Sequence, residues 1–180
     1  MINIAQWLES NPTRTTGIAA YSVALVFCIF AWSRPRGDAA QSRLAALLAL
    51  CESCLLIDMV FNIRWKIHEF FMDKAAQLAV YASRRGPQTL VLVVLLVVFI
   101  YGLRSASQRF RGRAGALLAV SGALLSVTLW CTEAVSLHAV DHILYQPVGK
   151  LFAVSFLWVF AGLMTSIGIL IESRADRSRR

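Results

Sequence analysis

Charge is scarce in this chain, and its absence comes in long blocks. Asp, Glu, Lys and Arg make up only 16% of the 180 residues, against roughly a quarter in soluble domains. Residues 16–32, 90–103 and 114–132 contain no such side chain at all. Blocks of that length exclude an ordinary soluble domain and suit helices that cross a bilayer. Helix breakers are missing too: 39–85 holds neither Gly nor Pro, so by breaker signals it reads as one unbroken helix. The four cysteines, Cys28, Cys51, Cys54 and Cys131, all fall inside apolar runs, which excludes an extracellular disulfide framework. A phosphate-cradling Gly loop, a Ser-nucleophile motif and a nucleic-acid module are likewise absent from the sequence. Arg14 is the only basic residue before the first apolar run, and no small-x-small site follows before Trp32. That run is therefore expected to be a retained span and not a cleaved signal.

What remains is apolar: 58% of residues are hydrophobic. The expected fold is all-α, a single integral membrane domain built as a polytopic helical bundle. Its five spans fall at approximately 13–32, 43–62, 88–104, 114–136 and 149–171. Residues 1–10, with Ile4, Trp7 and Leu8 apolar, suit an interface. Asn11 and Pro12 read as cap and first turn of the first span. Asp38 with Gln41 three residues on has the form of a capping box for the second. An unbroken helix over 39–85 would be roughly 70 Å long at 1.5 Å per residue, about twice the hydrocarbon thickness. Residues 62–85 are thus expected to form an amphipathic arm beyond the bilayer or along its surface. Ile63, Ile67, Phe70, Phe71, Leu78 and Tyr81 share one face of it, opposite Lys66, Glu69, Asp73 and Gln77. The fourth helix is expected to extend in the same way, to Tyr145, because the next proline is Pro147.

The formal net charge of +8 would raise the question of nucleic acid in a soluble protein. Here the cations sit between apolar runs, so lipid is the expected partner and nucleic acid is not. Eleven Lys and Arg residues flank one set of span ends (Arg34, Arg36, Arg43; Arg104, Arg109, Arg111, Arg113; Arg174, Arg177, Arg179, Arg180). The other set has seven, five of them on the arm. The positive-inside rule then places the C-terminus in the cytoplasm and the N-terminus outside an inner (plasma) membrane. Small residues recur every fourth position at Gly115, Ala119 and Ala123, at Gly122 and Ser126, at Ala161 and Thr165, and at Gly162 and Ser166. Such faces let helices approach closely in lipid. They predict a tight hairpin of spans four and five, or self-association, or contact with another membrane protein.

The ionisable residues at span ends carry the functional reading. With this orientation the second helix raises Asp58, Asn62, Arg64 and His68 on the external side. The fourth raises Glu133, His138, Asp141, His142 and Tyr145 there, so all three histidines share that side. Helical spacing puts His138, Asp141 and Tyr145 on one face. With His142 and His68 they form a candidate site for a transition metal ion; ordinary interfacial hydrogen bonding explains the same residues without a ligand. Arg64 and Glu133 lie at similar depth and are expected to pair. Glu52 sits in mid-run, where a carboxylate costs about 3 kcal/mol. It is expected to face the bundle interior or keep its proton, with Ser121, Ser126 or Thr128 as neighbours and proton handling as a possible role.

Cys51-Glu-Ser-Cys54 has the bare Cys-x-x-Cys spacing. It resembles the redox pair of membrane disulfide-forming oxidoreductases such as the vitamin K epoxide reductase family, which work with a quinone. Those enzymes keep the pair near an aqueous face, whereas this one lies in an apolar run, so small core residues are the expected role. The leading functional expectation is a multi-pass accessory protein that handles a metal ion or protons. The alternatives are a small quinone- or metal-dependent oxidoreductase and an oligomeric transporter subunit.

Overall fold

Asn11 does cap the first helix: its Oδ1 accepts the backbone N–H of Arg14 at 3.1 Å, with Pro12 in the first turn, where a missing N–H costs nothing. The computed structural model describes residues 11–33, 39–77, 85–135 and 137–178. Helices are α1 (Pro12–Ser33), α2 (Ala39–Phe61), α3 (Ile63–Gln77), α4 (Arg85–Arg109), α5 (Ala114–Val135), α6 (His138–Leu144) and α7 (Ala153–Ser178). A two-residue antiparallel hairpin, β1 (Pro147–Val148) and β2 (Leu151–Phe152), precedes α7 and turns at Gly149 with φ +66°. The expectations for 1–10, for the Asp38 cap and for Leu78 and Tyr81 lie outside the described residues.

Five helices, α1, α2, α4, α5 and α7, are long and apolar enough to cross a membrane. The all-α bundle is therefore as expected. Cross-contacts fix which ends meet. Arg14 reaches the end of α2, Gln88 the end of α5, and Trp158 also meets α5 near its end. These ends, together with α3, form one end of the bundle, called the α3 end below. At the other, the tail end, Arg113 meets Glu172 and Gln41 donates to the Glu172 carbonyl at 2.9 Å.

Helices α1, α2, α5 and α7 surround a common interior, and α4 leans on α5 alone among the principal contacts. Its Leu90, Val93, Val94, Leu96, Val97 and Ile100 are all exposed, as a charge-free run touching lipid on several sides requires. The α5–α7 interface is the most extensive. A Cβ on Gly122 would stand 2.6 Å from the Ala161 carbonyl oxygen, and one on Gly168 would collide with the Ala119 backbone. The predicted hairpin of spans four and five is thus present. Gly115, Ala119 and Gly122 are used within the chain, and Gly162 packs on Ala20 of α1.

Two helices are interrupted where unbroken ones were expected. The helix through 39–85 breaks at Asn62, the one non-glycine residue with positive φ (57°) among the described residues. Asn tolerates the left-handed region better than other side chains with a Cβ, so it ends α2 without a Gly or Pro. The fourth span stops at Val135, and His138–Leu144 is a separate short helix. The fifth long helix begins at Ala153, after the hairpin, where about 149 was expected. On α3 the apolar face is not covered: Phe70 and Phe71 are exposed.

Candidate functional site

At the α3 end the breaks act together. Ending α2 at Asn62 frees Asp58 to cap the next helix, and its Oδ1 accepts the Arg64 backbone N–H at 2.7 Å. The turn also swings the Arg64 side chain inward. Its Nη1 lies 2.8 Å from Glu133 Oε2, its Nε 3.1 Å from Asp58 Oδ2, and its Nη2 2.8 Å from the Met59 sulfur. The Nε contact is an ion pair without hydrogen-bond alignment. The guanidinium carbon stands 5.1 Å from the Trp158 ring centroid, a cation–π arrangement. Arg64 is 5% exposed and Glu133 3%. The Arg64–Glu133 pair expected from span depth is therefore present and buried.

Glu133 is saturated. Besides Arg64 it accepts from Tyr145 Oη at 2.8 Å and from Trp158 Nε1 at 3.0 Å. Burial first, and then the Glu133 carboxylate, hold the Tyr145 phenol well above the ordinary tyrosine range, so Tyr145 acts as a donor. The residue after α6 and the hairpin place it there: Phe152 N–H donates to Thr13 Oγ1 at 3.0 Å, and the Phe152 ring meets Tyr145 edge-on at 5.9 Å. Arg14 donates to the Met59 and Val60 carbonyls at 2.6 and 2.7 Å. It supplies a cation where the exposed carbonyls and dipole of α2 attract one. Two cations thus face two carboxylates. A cavity of about 280 Å³ opens beside them. Asn11, Thr13, Arg14, Asn62, Arg64 and Glu133 line its polar side, and Trp65, Tyr145, Phe152 and Trp158 its aromatic side.

The candidate metal ligands do not join this centre. No group of three or more His, Cys, Asp or Glu placed to hold a metal ion occurs among the described residues. His68 is half-buried against the Trp65 ring, with centroids 5.8 Å apart, while His138 and His142 are exposed on α6. The physical reason lies in the two interruptions. Ligand spacing was counted along helices that turn at Asn62 and end at Val135. Asp141, Asp58 and Asn62 lie at the same end, but only Asp58 enters the Arg64 cluster.

Below this centre lies a second polar layer that the sequence disclosed only in part. Arg14, Met59, Glu133 and Trp158 meet at the α3 end. Moving seven residues inward from each, two turns or roughly 10 Å, reaches Tyr21 on α1, Glu52 on α2, Ser126 on α5 and Thr165 on α7. All four are at most 1% exposed. The Tyr21 hydroxyl faces Ser126, and Thr165 faces Glu52. Thr165 Oγ1 donates its own proton to the Ala161 carbonyl at 3.2 Å. Neither Glu52 oxygen nor Ser126 Oγ closes a hydrogen bond. Four helices therefore each contribute one polar side chain, three of them hydroxyls around a single carboxyl group. Ser126 was an expected neighbour of Glu52. Tyr21 and Thr165 were missed, although Thr165 stands in the small-residue pattern of span five. Thr128, the other candidate, instead donates back to the Leu124 carbonyl.

One further step of two turns reaches Glu172 on α7, which pairs with Arg113 at 2.7 Å, and Cys28, Ala45 and Ala119 on the other three helices. Those last three are fully buried and cluster with Ala31, Leu48, Ala49, Ala123 and Ile169. All four cysteines are free thiols, Cys51 half-buried and Cys54 exposed. Searches against protein-family models, curated proteins and solved structures found no match for this chain.

Proposed function

We propose that this chain is a multi-pass inner-membrane component that takes up and releases a proton at Glu52, with the α3 end and the N-terminus external. The observation carrying this reading is the Glu52 layer: a carboxyl group with no exposed surface and no ion-pair partner among the described residues, faced by Thr165, with the buried Tyr21 and Ser126 hydroxyls at a similar height on two other helices. A charged group at that depth is costly to hold without a partner. A carboxyl group there works by gaining and losing a proton, and hydroxyls are the groups that pass one along. The Arg64–Asp58–Glu133 cluster has the opposite character. Its carboxylates have Arg64 between them, with Arg14 close by, and Glu133 accepts three donors, so it serves to hold the helix ends around the column. Other titratable groups facing Glu52 are Tyr21 and Cys28 on α1 and Cys51 on its own helix. On α5 Glu133, and on α7 Glu172, stand about two turns away.

Infrared difference spectroscopy of the lipid-reconstituted protein tests this. A carboxylic-acid band should appear and vanish between mildly acid and mildly alkaline pH in wild type and be missing in Glu52→Gln. Proteoliposomes should take up protons with wild type and not with the variant. A band unaffected by Glu52→Gln would overturn the reading. A metal-binding role has no comparable support, because the three histidines do not converge.

A further inference from the structure

We infer that the α3-end cavity binds the ring of a membrane-soluble quinone, a neutral planar ring carrying carbonyl oxygens. Glu52 does not line this cavity, so the site stands apart from the proton-handling reading. At about 280 Å³ it falls just below the roughly 300–1,000 Å³ of drug-sized ligand pockets. One substituted six-membered ring fits that space, and a dinucleotide does not. Trp65, Tyr145 and Phe152 make a continuous aromatic wall, with centroids 6.1 Å apart for the first pair and 5.9 Å for the second. Trp158 already carries the Arg64 guanidinium over its ring, but Trp65 and Phe152 are 37% and 41% exposed. Uncovered aromatic surface of this kind suits a flat conjugated ring.

The polar wall decides what the ring must carry. Glu133 Oε1 takes the Trp158 N–H, and Oε2 takes the Tyr145 hydroxyl and Arg64. Thr13 Oγ1 takes the Phe152 N–H, and Asn11 Oδ1 the Arg14 N–H. These acceptors are engaged. Asn62, at the left-handed break, lines the cavity half-buried, and its side-chain amide closes no hydrogen bond with another described residue. Arg64 Nε closes none either, at 5% exposure of the residue. Open donors beside engaged acceptors call for a ligand that accepts. Arg14 and Arg64 already face Asp58 and Glu133, two charges against two, so an anion would add a charge without a partner. A ring carbonyl accepts hydrogen bonds and brings no charge. The cavity lies at the ends of helices long and apolar enough to span a membrane. From Phe152 the exposed side chains of Phe156, Phe160 and Leu163 continue down α7, a surface along which the hydrocarbon chain of such a molecule would lie.

Tryptophan fluorescence reads binding, because Trp65 and Trp158 line the cavity and quinones quench indole emission. Decyl-substituted benzoquinone is titrated into the full-length protein in phosphatidylcholine nanodiscs, and saturable quenching is expected. Asn62→Gly keeps the left-handed backbone and deletes only the amide. It should weaken binding about tenfold, the scale of one lost hydrogen bond. Phe152→Leu keeps an apolar side chain without the ring and should weaken it about threefold to tenfold. Decylbenzene, which has the chain but no carbonyl, and inorganic phosphate should both fail to displace the quinone from wild type. Displacement by decylbenzene would make this an apolar chain site, and displacement by phosphate an anion site; either result overturns the inference. Quenching that never saturates, or that is the same in wild type and both variants, would reduce it to partition into lipid and overturn it as well. The two competition arms use wild type alone, so they decide the matter even where a variant fails to fold.

Discussion

Replacing Glu133 by Gln isolates the charge at the centre of the α3-end cluster. The carboxylate receives three donors, Arg64 at 2.8 Å, Tyr145 at 2.8 Å and Trp158 at 3.0 Å, at 3% exposure. Gln keeps the shape but turns one acceptor into an NH2 group, which must then face another donor. Removing one partner of a buried ion pair typically costs about 3–5 kcal/mol, chiefly because the other charge is left uncompensated. Asp58 still lies 3.1 Å from Arg64, so the loss belongs at the lower end, about 3 kcal/mol. Unfolding free energies in bicelles, wild type against Glu133→Gln, would measure it. A cycle through Arg64→Met and the double variant then separates the pair from the rest. The double variant should be less destabilised than the sum of the singles, since neither leaves the other's charge stranded. Asp58 loses its partner in both Arg64 variants and cancels from the comparison. A Glu133→Gln loss below about 0.5 kcal/mol, the scale of an exposed pair, would show that the pair is screened as at a surface and would refute its burial.

Other substitutions probe separate links. At Asn62, φ of 57° makes Gly the easy replacement, whereas Ala should cost about 1–2 kcal/mol of backbone strain; equal stability of the two variants would place the α2–α3 break elsewhere. Gly122→Ala forces the α5 and α7 backbones apart, because its Cβ would meet Ala161 and Thr165 at 2.6 Å, and should lower stability by about 1–3 kcal/mol; an unchanged melting temperature in detergent would contradict the packing. Tyr145→Phe removes a hydrogen bond to a charged acceptor, worth about 1.5–3 kcal/mol. Because the folded state holds the Tyr145 proton more tightly than the unfolded chain, stability should be unaffected by this group below about pH 10 and fall above it. Tyr145→Phe should flatten that alkaline limb, which pH-dependent denaturation would reveal.

How much of this could be read along the chain depends on the range of the signal. Five apolar runs were legible because lipid imposes a length and a composition on each span separately. The Asn11–Pro12 start and the small-residue hairpin of α5 and α7 were legible for the same local reason. The end of α2 was hidden because Asn62 breaks it by accepting a left-handed backbone, which many Asn residues never do. Together with the stop at Val135, that residue sets where the candidate ligands lie. It turned Arg64 inward to Glu133 and left His68 against Trp65, away from His138 and His142. Glu52 announced itself by its depth, yet Tyr21 and Thr165 are ordinary residues in their own helices. They gain significance only from the register between helices, and one sequence carries no record of that register.

That register also bears on why the column is built unevenly. Each bundle helix repeats its inward residue every seven positions, so successive layers are sets of four side chains, one per helix. At the α3 end the set is charged and balanced, in the middle it holds one carboxyl group and three hydroxyls, and below it holds Cys28, Ala45 and Ala119 with Glu172, which has Arg113 as its partner. A structural stack in lipid would do better with small apolar residues, as Cys28, Ala45 and Ala119 provide on three of the helices, because a buried carboxyl group without a donor only subtracts from stability. Replacing Glu52 by Leu or Gln should therefore stabilise the bundle or leave it unchanged, while abolishing proton uptake. If Glu52→Leu instead unfolded the protein, the carboxyl group would be holding the helices together, and its position opposite Thr165 and beside Ser126 would be explained by packing and not by proton traffic.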